Sequence, residues 1–254
     1  MNPTNAITCV TPGVLGTRRT NPMRTTLFAV AVLAAISVFP AFAQTGEGGD
    51  LQQKIAALKQ SVAANQMKLH RFQWTETQAF TLKGDPKPSK QYSCFYGPDG
   101  TVQKNLISPP PAPPSGGRLK KRIIEKKKDE LEDYMAGVKT LLGLYVPPNS
   151  QLIQQAFDRG NVSVTLIPGS KEKPFVFNNY AQPGDQMKIT YDSIAQKVIS
   201  ISIKTYMDNP KDTVSLNVQF STLPDGTNYV RQTVLNATAK KLVVTTMNSN
   251  YRPT

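Results

Sequence analysis

The sequence predicts an α+β fold: a strongly curved antiparallel sheet with helices packed on its concave, apolar face. Three observations predict it. The run from Met187 to Tyr251 is a succession of β-branched and aromatic segments broken by turn residues. Within it Ile199, Ile201 and Ile203 alternate with Ser200, Ser202 and Lys204, and Val214, Leu216, Val218 and Phe220 alternate with Ser215, Asn217 and Gln219. A period of two gives each strand one apolar and one polar face, so the sheet needs a cover on one side. Finally, helical patterns come early and strands late, a segregation that argues against alternating α/β units.

Residues 1–43 read as a signal peptide with an upstream extension. Arg24 supplies a positive start, Leu27–Val38 is an apolar run of twelve residues, and Ala41-Phe42-Ala43 is a small-x-small site before Gln44. Twelve residues fall short of the roughly 20 that span a bilayer, so cleavage near Ala43-Gln44 and a soluble product in the periplasm or outside the cell are expected. A start at Met23 would give a signal of ordinary length. Arg18-Arg19 is followed by Thr20, Asn21 and Pro22, not by the apolar residue of a twin-arginine signal.

Cys9 precedes the cleavage site, so the mature chain keeps Cys94 alone and forms no internal disulfide. No basic residue lies close to Cys94 in sequence, and a buried, inert thiol is expected. The full chain has 30 Lys and Arg against 17 Asp and Glu, a net charge of +13. Three of the basic residues and none of the acidic ones lie before Gln44, which leaves the mature chain at +10. That charge favours an anionic partner.

Residues 44–50 are Gly-rich and read as a loose N-terminus. A single domain then spans 51–254. Leu51, Ile55, Leu58, Val62 and Leu69 have helical spacing. His70–Lys83, with Phe72, Trp74, Phe80 and Leu82, is a strand ended by Gly84-Asp85-Pro86. Lys90–Tyr96 and Thr101–Ile107 flank Gly97-Pro98-Asp99-Gly100 as a hairpin. Residues 108–117 hold five prolines and two glycines and read as an extended linker.

The longest helix is expected over 118–145, about 40 Å at ~1.5 Å per residue. Its apolar stripe is Ile124, Leu131, Met135, Val138 and Leu142, with Ile123, Tyr134 and Leu141 beside it. Lys126 with Glu130 and Lys128 with Glu132 have the spacing of surface ion pairs. A short helix at Ser150–Phe157 is closed by Gly160. Val162–Ile167 and Pro174–Tyr180 are further strands. The late strands are Met187–Tyr191, Lys197–Tyr206, Thr213–Thr222, Asn228–Leu235 and Lys241–Met247.

The chemistry is sparse. His70 is the one histidine, and HExxH, CxxC, GxSxG, P-loop and GxGxxG patterns are absent from the sequence. One His and one Cys fall short of the three or four ligands of a zinc site. No catalytic residue, metal ligand or cofactor is assigned, and an enzyme is not expected. Two groups of residues are candidates for binding. Phe72, Trp74, Ile199, Ile201, Ile203, Leu216, Val218 and Phe220 from the strands, with Leu131, Met135 and Val138 from the helix, are the apolar lining for a lipid or acyl ligand. The same residues would equally make a solid core. Arg118, Lys120, Lys121, Arg122, Lys126, Lys127 and Lys128 form a basic segment suited to an anionic membrane surface, or simply a solvated helix face. No aromatics interleave with it to stack bases, so a nucleic-acid partner is not expected. A monomer is expected.

The order of these elements carries a resemblance. A signal peptide, an amphipathic helix, the aromatic strand at Phe72-Gln-Trp74, a hairpin, inserted helices and a late run of strands ending in Asn250-Tyr-Arg-Pro253 look like the LolA/LolB-like lipoprotein-carrier superfamily. The resemblance implies an unclosed β-barrel whose helices form a lid, with acyl chains carried in its cavity. The basic helix at 118–145 and the Pro-rich insert before it depart from that pattern. The chain looks still more like an uncharacterised group of exported bacterial proteins. There the Gly-Pro-Asp-Gly hairpin, the Glu125-Lys-Lys-Lys128 segment of the long helix, Tyr145-Val-Pro-Pro148, the Thr222-Leu-Pro-Asp-Gly-Thr-Asn-Tyr229 turn and Ala239-Lys-Lys241 recur, and no activity comes with that likeness.

Overall fold

The computed structural model describes residues 63–109, 118–165 and 168–254. The signal peptide at 1–43, the N-terminus at 44–50, the helix prediction over 51–62 and most of the Pro-rich linker lie outside the described residues.

Among the described residues ten strands form one sheet, and every neighbouring pair is antiparallel. In chain order they are β1 (Phe72–Leu82), β2 (Asp85–Tyr96), β3 (Val102–Leu106), β4 (Val162–Val164), β5 (Glu172–Asn178), β6 (Gln186–Asp192), β7 (Lys197–Tyr206), β8 (Thr213–Thr222), β9 (Asn228–Ala237) and β10 (Leu242–Pro253). Across the sheet the order is β3-β2-β1-β10-β9-β8-β7-β6-β5-β4, so β3 and β4 are edges and the barrel stays open. Among the described residues three helices join it: α1 (63–69), α2 (Arg118–Leu142) and α3 (Ser150–Asp158).

The register aligns the inward side chains into rows. One row runs Phe80, Val244, Leu235, Leu216, Ile203, Met187, Phe177 and Val162, apolar across eight strands. All of these belong to one hydrophobic cluster with Met135, Val138 and Leu142 of α2 and Ala156 of α3. Eight flat strands would spread roughly 34 Å at ~4.8 Å each, and a helix with its side chains is only about 10 Å wide. A shared core over that span requires the sheet to curl around its helices, which therefore lie on its concave face.

The helices cap opposite ends of that face. The Tyr134 hydroxyl on α2 donates to Asp212 between β7 and β8 at 2.8 Å. In α1, the Asn65 side chain donates to Asn228 O at 2.7 Å and accepts from Asn228 N at 2.6 Å, a clamp on the start of β9. Asn149 caps α3 by accepting from the backbone N–H of Gln151 at 2.8 Å.

Four expectations need correction. The first strand ends at Leu82 as expected, but Asp85 and Pro86 are not part of the break: the chain reverses at Lys83-Gly84, and β2 starts at Asp85, not Lys90, with Pro86 and Pro88 inside it. The prolines are tolerated because β3 pairs only with Tyr92–Tyr96 and its continuation bonds no further than Gln91, leaving residues 85–90 with one ladder partner. The long helix ends at Leu142, not 145, and the chain turns at once through Gly143. Among its described side chains only those of the second half are buried, since Ile123 is exposed while Met135, Val138 and Leu142 are core. Ile199 leaves the apolar stripe. A β-bulge between Thr190 and Tyr191 shifts the register so that Tyr191 faces Val198, and Val198 packs on the core where alternation would place Ile199.

Candidate functional site

Strand β1 reads Phe72-Gln-Trp-Thr-Glu-Thr-Gln-Ala-Phe-Thr-Leu82, so its inward residues are Phe72, Trp74, Glu76, Gln78, Phe80 and Leu82. Glu76 and Gln78 are buried, at 4% and 1% exposure, in the middle of an otherwise apolar series. Across the sheet Glu76 faces Asn248 on β10 and Tyr92 on β2, while Gln78 faces Thr246, itself opposite Thr233. The inner face is therefore divided. Beyond Thr233 the row turns apolar through Val218, Ile201, Ile189 and Phe175.

The polar patch has a definite hydrogen-bond order. Lys104 on β3 reaches past Cys94 to both oxygens of Glu76, at 2.6 and 2.7 Å. Gln78 Nε2 donates to Glu76 Oε1 at 2.7 Å, and Asn248 Nδ2 donates to Val230 O at 2.9 Å. Both amide groups are oriented by these bonds, because a carboxylate and a carbonyl only accept. Each amide oxygen is left facing away from its partner. Among the described residues, Gln78 Oε1, Asn248 Oδ1 and Trp74 Nε1 are buried side-chain polar atoms without a hydrogen-bond partner. An unmatched buried polar atom costs about 1–3 kcal/mol, and three around one ion pair mark a place that suits a polar guest.

Aromatic rings wall the patch at one end. Trp74 stacks on Tyr251, with centroids 5.5 Å apart and planes 9° off parallel. Tyr229 and Phe72 also pack on Tyr251, while Tyr96 lies against Trp74 and stacks on His70. Burial drives the Tyr251 and Tyr96 hydroxyls above the usual tyrosine range. Burial also pushes the Cys94 thiol up to about 12, with the Glu76 charge adding to it. Cys94 is fully buried and held in its unreactive thiol form. His70 lies within 3.2 Å of the Gln66 amide.

No protein-family model matches the chain, and no curated protein does. Among solved structures, a DUF1329 family protein from Desulfovibrio piger is similar at a TM-score of 0.36 and 9% identity, covering 78% of this chain and 92% of that one. At that TM-score the likeness does not establish a shared fold.

The apolar residues singled out in the sequence fall into three places. Ile201, Ile203, Leu216, Val218, Met135 and Val138 are buried together in the core cluster beneath α2, with Leu131 and Phe220 packed at its margin. Phe72 and Trp74 stand apart at the aromatic wall. Ile199 is half-buried at the bulge. In the basic segment, Arg122, Lys126, Lys127 and Lys128 are exposed on α2, and Lys128 lies 3.7 Å from Glu132. The side chains of Arg118, Lys120 and Lys121 lie outside the described residues.

Glu76, Gln78, Lys104 and Asn248 escaped the reading of the sequence, although one signal was there. Phe72, Trp74, Phe80 and Leu82 share a parity, and Glu76 and Gln78 hold the same parity between them. Polar residues on the apolar side of a strand are the mark of a buried polar site.

Proposed function

We propose that this chain is an exported, non-enzymatic protein that binds a hydrophobic or amphipathic ligand, a lipid or acyl chain, between the concave face of its sheet and its helices. The observation that carries the reading is the division of that face. Apolar rows under α2 and α3 continue into a buried patch with unmatched hydrogen-bonding atoms, so one surface offers both an oily and a polar half. An amphipathic molecule has that same division. The open sheet and the element order agree with the LolA/LolB-like pattern, in which helices cover an acyl-chain cavity. To reach Ile203 or Leu216 a chain must displace α2, which is anchored at its C-terminal end, where Met135, Val138 and Leu142 are buried.

The test is titration of delipidated protein with a fluorescent long-chain fatty acid. Saturable uptake at micromolar concentration or below, unchanged between low and moderate salt, is the expected result. Uptake that never saturates overturns the proposal.

A second reading rests on Arg122 and Lys126–Lys128, exposed along the half of α2 that buries little. In that reading the helix docks on an anionic membrane surface and the interior is solid. Binding to vesicles containing anionic lipid would then fade steeply with salt, because the Debye length falls from about 30 Å at 0.01 M to about 8 Å at 0.15 M.

A further inference from the structure

We infer that the patch around Gln78 recognises an uncharged polyhydroxyl group, the glycerol or sugar end of an amphipathic molecule; this rests on the ligand-binding reading above and specifies its polar half. The inference comes from counting donors and acceptors. Glu76 and Lys104 already neutralise each other at 2.6 Å, so the patch holds no unbalanced pair to attract a net charge. What it presents is two acceptors, Gln78 Oε1 and Asn248 Oδ1, and one donor, Trp74 Nε1–H. Their orientations are fixed, since each amide nitrogen is committed to Glu76 or to Val230 O, and Trp74 is held flat on Tyr251.

Other head groups fail this count. A carboxylate or phosphate only accepts, so it cannot satisfy Gln78 Oε1 or Asn248 Oδ1, and it would sit beside the Glu76 carboxylate. A quaternary ammonium has no N–H to give. A primary ammonium donates but cannot accept from Trp74, and it would compete with Lys104 for Glu76. A hydroxyl both donates and accepts, so a group that carries several of them matches in kind a set of two acceptors and one donor. The placement agrees with an attached chain: Gln78 lies in the row that becomes apolar at Val218, so a tail leaving the patch runs onto the core face.

The experiment uses the mature protein and four probes with the same eight-carbon tail, each below its micelle concentration: monooctanoylglycerol, octyl glucoside, octanoate and octyltrimethylammonium. Calorimetry should show one or both polyol probes binding about tenfold more tightly than the two charged ones, the weight of one hydrogen bond to a buried group. Which polyol binds better tells glycerol from sugar. Gln78→Leu should reduce that preference severalfold, read as the ratio of polyol to octanoate affinity in the same protein. Trp74→Phe keeps an aromatic side chain, removes the donor and should act in the same direction, with urea midpoints showing that both variants fold. Water hydrogen-bonds both ways as well, and if it is the only occupant all four probes bind alike. Equal affinities therefore overturn this inference and leave the ligand-binding reading in place, whereas no saturable binding of any probe removes both.

Discussion

The Tyr145 hydroxyl donates to Asp185 Oδ2 at 2.5 Å and lies 2.8 Å from Thr205 Oγ1, so the chain leaving α2 is tied both to the β5–β6 loop and to β7. Asp185 is almost fully buried and accepts three backbone N–H groups as well, from Tyr180, Ala181 and Gln182. A buried carboxylate is tolerated there because its lone pairs are taken up by donors. The ring of Tyr145 is itself fully buried. This is the fixed end of α2, and it keeps the helix over the core.

Tyr145→Phe keeps that ring and removes one donor. It should lower unfolding stability by about 1–3 kcal/mol, because both Asp185 and Thr205 lose a partner out of water. Urea unfolding with an unchanged slope checks it. A shift under ~0.5 kcal/mol would mean that the bond does not anchor the helix.

The Glu76–Lys104 pair should behave as a unit. Lys104→Met leaves the Glu76 carboxylate buried with Gln78 as its remaining side-chain donor. Breaking a buried pair costs about 3–5 kcal/mol, and the partly exposed Lys104 brings the expectation to the lower end of that range. The double change Glu76→Gln with Lys104→Met should recover most of the loss, and a double-mutant cycle in urea measures the coupling. Additive single effects would show that the two charges act independently.

The contrast between these two networks shows what the sequence discloses. Strands β7 and β8 were legible to the residue, because Ile201, Ile203, Val214, Leu216 and Val218 follow a strict period of two. Open-sheet order was not legible, since nothing local in β1 says that it pairs with β10. The polar patch was hidden for the same reason. Glu76 meets Lys104 across two strand pairings, and Asn248 joins them from the far end of the chain. Bulges are equally silent. A single extra residue on β7 exchanges Val198 for Ile199, and local composition looks the same either way.

The bulge makes a sharp prediction. Ile203 is fully buried between Met187 and Leu216, whereas Ile199 lies half-buried outside the core cluster. Ile203→Ala should cost about 2–5 kcal/mol through lost burial and a residual cavity. Ile199→Ala should cost about 1 kcal/mol or less. Equal losses in thermal or urea unfolding would place Ile199 back in the core.

Acid sensitivity should come from the turns. Asp192 accepts the N–H of Ala195 and Ile194 and lies 3.2 Å from Lys171, and its carboxyl is held below the ordinary 3.8, first by the Ala195 N–H and then by Lys171. Asp225 is lowered likewise by the N–H and hydroxyl of Thr227. Because the folded value lies below the unfolded one, the unfolded chain binds more protons in that window, and stability rises with pH across it. The contribution is complete above the ordinary carboxylate range and is lost as pH falls below 3.8 through the lowered folded value. Asp192→Ala and Asp225→Ala should therefore lag the parent by a constant urea midpoint above about pH 5, and the gap should close as both carboxyls protonate toward about pH 2. A gap that stays open at the acid end would assign these side chains a role that does not depend on their charge.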